Sequence, residues 1–221
     1  MSVEAPLLSL VFDAYGTLYD VHSVARRCEA CFPGKGTVLS QLWRAKQLEY
    51  TWQRSLMQRY VPFSTVTRDA LAYSCVALGL EAAPHMDALM AEYVALAPFP
   101  EVPKALSRLT MKKAILSNGS PDLLEPLVRN SGLRFDAVLS VDELKVYKPA
   151  PQVYALAARR LDTPKERIGF VSSNCWDALG AKSFGFRVYW INRAGAPVDR
   201  LGFTPDREIR SLTDLADEVL R

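Results

Sequence analysis

Leu7-Leu8-Ser9-Leu10-Val11-Phe12, followed by Asp13-Ala14-Tyr15-Gly16-Thr17-Leu18-Tyr19-Asp20, is the stretch whose reading settles the fold. Its first six residues are almost continuously apolar, the pattern of a central strand buried on both faces. An acidic residue ends the run, and Gly16 permits a tight turn just beyond it.

Downstream the texture changes. Across residues 21–97 helical periodicity dominates and no strand is expected, with helices over 23–31, 37–57, 64–78 and 85–96. The second of these is long enough to span roughly 30 Å. Pro98, Pro100 and Pro103 then punctuate the chain, and strand and helix patterns begin to alternate. Strands are expected over 113–117, 137–140, 168–172 and 187–191, with helices over 121–130, 151–161 and 176–184. Pro121 and Pro151 suit the first turn of a helix, where a missing N–H costs nothing. Such alternation implies a parallel sheet covered by helices on both faces. The expected fold is therefore α/β: a Rossmann-like, doubly wound, mainly parallel core over residues 1–20 and 99–221. An inserted helical cap would occupy residues 21–98.

Composition excludes several classes of function. A length of 221 residues suits one medium domain, or a core with an insertion. Apolar residues at 49% and charged residues at 23% are ordinary for a globular protein. The net charge of +3 is spread along the chain, so nucleic acid and anionic membrane are not the expected partners. Residues 1–10 hold no Lys or Arg, unlike a signal peptide, and no stretch approaches a membrane span. Cys28, Cys31, Cys75 and Cys175 do not read as a disulfide framework, which points to a reducing cytoplasm. Cys28 and Cys31 form a C-x-x-C, but no second ligand pair completes a zinc site. The pair also falls inside a helix rather than at the start of one, so packing is its expected role.

In an open parallel sheet, ligands bind beyond the carboxyl ends of the strands, where strand order reverses. Those ends and their loops offer Asp13 and Thr17, Ser117 and Asn118, Lys148, and Ser172-Ser173-Asn174 with Asp177. The segments Asp13 to Asp20 (D-x-Y-G-T-L-Y-D), Leu116 to Ser120 (L-S-N-G-S), Tyr147 to Pro149 (Y-K-P) and Val171 to Asp177 (V-S-S-N-x-W-D) resemble the haloacid dehalogenase superfamily. Within it they resemble the L-2-haloacid dehalogenases. Leu42 to Tyr50 (L-W-R-x-K-Q-L-E-Y) extends the resemblance into the expected cap.

The resemblance implies hydrolysis of small (S)-2-haloalkanoic acids to (R)-2-hydroxy acids and halide, with inversion and no cofactor or metal. Phosphatases of the superfamily carry a second Asp two residues after the nucleophile, and acidic residues after the fourth strand, which together protonate an alkoxide and hold Mg²⁺. Here Tyr15 and Asn174 stand in those places. A halide leaves without a proton, so their loss favours carbon–halogen displacement. Two rivals are a Mg²⁺-dependent phosphatase of the same superfamily and a non-catalytic binding protein on the same fold.

By the same resemblance Asp13 is the nucleophile, forming an aspartyl ester. Lys148, in a loop held extended by Pro149, would keep Asp13 charged. Arg44 would stabilise the departing halide beside Asn118. Ser117 and the amides around Tyr15 and Asn118 would grip the substrate carboxylate, and Thr17 would bond Asp13. Ser172, Asn174 and Asp177 would place the hydrolytic water, with Asp177 the candidate base and Asn174 also suited to capping the next helix. Tyr154 matches a tyrosine that the family uses near its site and is a candidate substrate contact. Tyr15, Leu48, Phe63 and Trp176 would line an apolar pocket. Ala45 stands where related enzymes often carry a bulkier polar residue. Related enzymes are often homodimers, and Trp43, Tyr50 and Trp52 offer an apolar interface or internal packing.

Overall fold

A computed structural model of the chain describes residues 5–220. Residues 1–4 of the expected core segment, and residue 221, lie outside the described residues. Among the described residues, six strands form one sheet in the order β3-β2-β1-β4-β5-β6. They are β1 (Ser9–Phe12), β2 (Lys112–Ser117), β3 (Ala137–Ser140), β4 (Ile168–Ser172), β5 (Arg187–Ile191) and β6 (Arg207–Ile209). Every pairing is parallel. The apolar run was a sound guide: β1 is buried throughout and sits between β2 and β4. Strand order departs in opposite directions on its two sides, so the crevice expected of such a sheet opens at the end of β1.

Between β1 and β2 the chain forms helices α1 (His22–Cys31), α2 (Gly36–Leu56), α3 (Phe63–Ala77) and α4 (Met86–Ala91), then a 3-10 turn over Glu92–Val94. The last stretch was expected as one helix to residue 96; instead it tightens and stops. The buried positions of α2 include Gly36, Leu39, Trp43 and Gln47, a spacing of three or four that marks one helical face. Trp43 is 1% exposed, which removes it from the surface group suggested as an interface. The chain leaves and re-enters the core at one place. Tyr19 bridges to Pro98, the Asp20 N–H donates to the Ala97 carbonyl at 2.9 Å, and the Phe99 N–H donates to the Leu18 carbonyl at 3.0 Å.

After β2 the alternation runs through α6 (Pro121–Ser131), α7 (Pro151–Leu161) and α8 (Cys175–Phe184). Three short elements escaped the sequence reading: α5 (Val102–Arg108), β6, and α9 (Leu212–Val219). Helix α5 grows out of the proline cluster, with a proline in its first turn. Helix α9 opens on a capping box between Ser211 and Asp214. No helix among the described residues is long and apolar enough to cross a membrane.

Candidate active site

Strand β1 carries Asp13 to the middle of the sheet's carboxyl rim, where Gly16 at φ 82° turns the chain back. Only glycine adopts that conformation freely. The carboxylate is 6% exposed, and its two oxygens are treated unequally. Oδ2 accepts from Asn174 Nδ2 at 2.8 Å, from Thr17 Oγ1 at 3.0 Å and, at the 3.5 Å limit, from Ser172 Oγ. Oδ1 accepts from Lys148 Nζ at 3.1 Å. Thr17 also receives the Ser173 N–H at 2.8 Å, tying the loop after β1 to the loop after β4.

Lys148 does not sit in an extended loop as expected; it lies in a turn, with a cis peptide to Pro149. Its own N–H donates to Asn118 Oδ1 at 3.0 Å. The ammonium is buried between Asp13 and Asp177, 2.9 Å from Asp177 Oδ2. Burial opposes that charge, but the two carboxylates outweigh it and hold the lysine above its ordinary value. Asp177, in the first turn of α8, is fully buried. Its Oδ1 accepts from the Tyr154 hydroxyl at 2.9 Å. Burial pushes the Asp177 carboxyl up to about 6; Lys148 pulls it back, and the neighbouring Asp13 charge adds to the rise.

Asn174 occupies the N-cap position of α8, yet its side chain makes no cap. The reason is competition. Its amide group donates to Asp13 Oδ2 and, at 3.3 Å, to the Tyr15 carbonyl, while Ser172 Oγ accepts the Asn174 N–H at 3.2 Å. Asn174 Oδ1 faces Arg44 Nη2 at 3.4 Å, so the arginine of α2 is joined to the core. Asp13, Thr17, Arg44, Lys148, Ser172, Asn174 and Asp177 thus form one connected network. Two members escaped the sequence reading. Arg44 Nη1 donates to Gln47 Oε1 at 2.7 Å, and Gln47 Nε2 donates to Thr67 Oγ1 at 2.8 Å. A glutamine one turn after Arg44 was the available signal.

Over this network lies a cavity of about 460 Å³, lined in part by Arg44, Leu48, Asn174 and Trp176. A second, of about 400 Å³, shares Arg44 and is lined by Tyr15, with the exposed Ala45 at its edge. Phe63 is 1% exposed and packs on Tyr15 and Tyr147, with ring centroids 6.0 and 6.2 Å away. Tyr154 was expected to touch substrate; it is instead fully buried among Phe170, Phe184 and Phe186 and bonded to Asp177. Ser117 is fully buried and receives the Gly119 N–H at 3.0 Å. The Tyr15 hydroxyl and Trp176 Nε1 are buried with no hydrogen-bond partner among the described residues. Burial also keeps the Tyr15 hydroxyl well above its ordinary value, so it stays a neutral donor. Among the described residues, no group of three or more His, Cys, Asp or Glu is placed to hold a metal ion.

Comparison with known proteins gives the arrangement its family. The model of the haloacid dehalogenase-like hydrolases matches residues 9–185. An (S)-2-haloacid dehalogenase of Pseudomonas sp. (strain YL) is 53% identical over 209 residues, covering 92% of this chain and 90% of that one. This chain belongs to the L-2-haloacid dehalogenase family. Solved structures agree with that membership. The crystal structure of the L-2-haloacid dehalogenase RSc1362 superimposes with a TM-score of 0.96 at 46% identity, covering 98% of this chain and 100% of that one. The L-2-haloacid dehalogenase of Xanthobacter autotrophicus with chloropropionic acid covalently bound gives 0.91 at 41% identity, covering 97% and 98%.

Proposed function

We propose that this chain is an (S)-2-haloacid dehalogenase that works through an ester on Asp13 and needs no metal. The observation that carries the reading is the unequal coordination of the Asp13 carboxylate. Oδ1 has one donor and keeps a lone pair for attack, whereas Oδ2 has three. Oδ1 attacks C2 of the halo acid, the new C–O bond forms as the carbon–halogen bond breaks, and halide leaves with the bonding pair. Back-side attack inverts C2. Arg44 and Asn118 take up the charge growing on the halogen, and Ser117 with the Tyr15 and Asn118 amides holds the substrate carboxylate. Tyr15, Leu48 and Trp176 surround the alkyl substituent, and Phe63 braces Tyr15 from behind. The helices over residues 21–98 act as the cap that excludes water from this step.

Hydrolysis then uses the same donors differently. In the ester, Oδ2 is the carbonyl oxygen, and Thr17, Asn174 and Ser172 already point at the oxyanion it becomes. Asp177, with its carboxyl raised to about 6, accepts the proton of the attacking water. On collapse the Cγ–Oδ1 bond breaks, and Asp177 returns its proton to the departing alkoxide as the (R)-2-hydroxy acid leaves. The acid formed on Asp13 gives its proton to solvent, restoring the carboxylate. Tyr154 holds Asp177 in place.

Metal independence is supported by the Asn174 amide, whose N–H donors face both Asp13 Oδ2 and the Tyr15 carbonyl, two oxygens a cation would need. A homodimer is supported by large apolar side chains exposed on and beside α2 and α3, including Leu56 at 85% and Val76 at 79%. The four free cysteines fit a reducing cytoplasm.

The test is halide release from each enantiomer of 2-chloropropionate. Activity on the S form alone, with (R)-lactate as product and Asp13→Asn inactive, is expected. Single turnover in ¹⁸O-water should leave the first product unlabelled; label in that product would mean direct attack by water and would overturn the ester route.

A further inference from the structure

The network behind Arg44 has a direction that its hydrogen-bond chemistry fixes. Thr67 Oγ1 donates to the Phe63 carbonyl at 2.7 Å, which uses its only proton. Toward Gln47, 2.8 Å away, the threonine oxygen therefore acts as an acceptor. Gln47 must turn its NH₂ group to Thr67, and its carbonyl oxygen is left facing Arg44 Nη1 at 2.7 Å. The other end is fixed in the same way. Asp13 Oδ2 and the Tyr15 carbonyl are acceptors, so the Asn174 NH₂ group must point at them and its oxygen at Arg44. Two acceptors are thereby presented to two nitrogens of one guanidinium. Were either amide reversed, N–H would meet N–H. Gln47 and Thr67 are both fully buried, and the Trp43 indole N–H fixes the Thr67 carbonyl at 2.8 Å, so water does not compete for these contacts.

We propose that Gln47 and Thr67 are positioning residues for Arg44. They hold its guanidinium in one rotamer, so that its remaining N–H groups face the reacting halogen before the carbon–halogen bond breaks. This inference rests on the role given to Arg44 above. An arginine free to swing would still bind substrate by charge, but would meet the developing halide less well. The effect therefore falls on kcat more than on KM. A displacement of about 1 Å costs about 100-fold in rate, and the variants should reach a tenth to a hundredth of the wild-type kcat.

The experiment measures kcat and KM for (S)-2-chloropropionate in wild type, Gln47→Met, Gln47→Glu, Thr67→Val, Thr67→Ser, Arg44→Lys and the Arg44→Lys/Gln47→Met double variant, with Tm recorded for each. Gln47→Met should lose roughly 10- to 100-fold in kcat with KM within about threefold. Gln47→Glu keeps an acceptor toward Arg44, the Thr67 proton turning to its second oxygen, and should recover much of that rate. Thr67→Val should lose kcat and Thr67→Ser should not, which keeps the test decisive should Gln47→Met fold poorly. The double variant should be no slower than Arg44→Lys alone, because Gln47 acts through Arg44. Equal losses in Gln47→Met and Gln47→Glu, or independent losses in the double variant, would overturn the proposal. Wild type that releases no halide would sink the activity itself; active wild type with undiminished Gln47→Met and Thr67→Val would sink only this inference.

Discussion

Replacing Lys148 with methionine removes one buried positive charge and leaves two carboxylates in the same dry pocket. The ammonium lies 3.1 Å from Asp13 Oδ1 and 2.9 Å from Asp177 Oδ2, and all three side chains are at most 9% exposed. At an effective dielectric of about 20, each attraction is worth about 5 kcal/mol. Part of that offsets desolvation, and removing one member of a buried pair typically costs about 3–5 kcal/mol. The structure also says how the loss depends on pH. Asp177 already holds its proton more tightly than an unfolded aspartate, and without Lys148 it holds it more tightly still. A group raised on folding stabilises fully below its unfolded value and loses that contribution as pH rises through its folded value. The penalty of Lys148→Met should therefore be largest near pH 8 and shrink toward pH 5. Urea denaturation at pH 5, 6.5 and 8 measures it directly. Halide release should fall at least about 100-fold, since the nucleophile loses its anchor. A pH-independent difference, or one below about 1 kcal/mol at pH 8, would refute the account of a charge held between two carboxylates.

Other outcomes follow from the same geometry. Tyr154→Phe removes a hydrogen bond that lowers the Asp177 pKa, so the acid limb of kcat should move up from about 6; an unmoved profile would detach Asp177 from the rate. Gly180→Ala puts a Cβ 2.5 Å from the Tyr154 hydroxyl and 2.6 Å from Pro149 Cβ, so it should slow halide release and lower Tm, and unchanged kinetics would contradict the packing behind Asp177. Asn174→Asp sets a third carboxylate against Asp13 and frees the Tyr15 carbonyl. That variant should lose dehalogenation and gain millimolar Mg²⁺ binding, visible as a metal-dependent rise in Tm that wild type lacks.

The sequence showed the strands that are long and apolar and the residues that end them. Three of the later strands and helix α7 match their expected limits: β5 is a β-branched and aromatic run following Gly185, and α7 opens on a proline that marks its first turn. Strand β6 was invisible for a physical reason: it spans three residues, two of them charged and exposed, and exists only because β5 offers it an edge. Helix α9 did carry a signal in Ser211 and Asp214, but eight residues give a weak period. At the site, strand-end placement pointed to Asp13 and Lys148 and the family resemblance to Arg44, whereas orientation was beyond reach. Asn174 sits where a cap belongs and turns its side chain elsewhere, and Tyr154 faces Asp177 rather than the cavity. Gln47 looks like any polar residue on an amphipathic helix until the fold buries it completely.

Two backbone hydrogen bonds, Phe99 N–H to the Leu18 carbonyl and Asp20 N–H to the Ala97 carbonyl, close the helical excursion at its neck, outside the sheet itself. A stretch of chain whose ends are stitched to each other can grow, shrink or diverge without shifting the register of β1 against β2 and β4. Selection on which acids fit can thus work on the excursion, while the aspartate, its lysine and their donors stay under separate constraint. Arg44 through Asn174, Phe63 against Tyr15 and Tyr147, and Tyr60 on Asp142 join the two, so α2 and the start of α3 are where drift has least freedom.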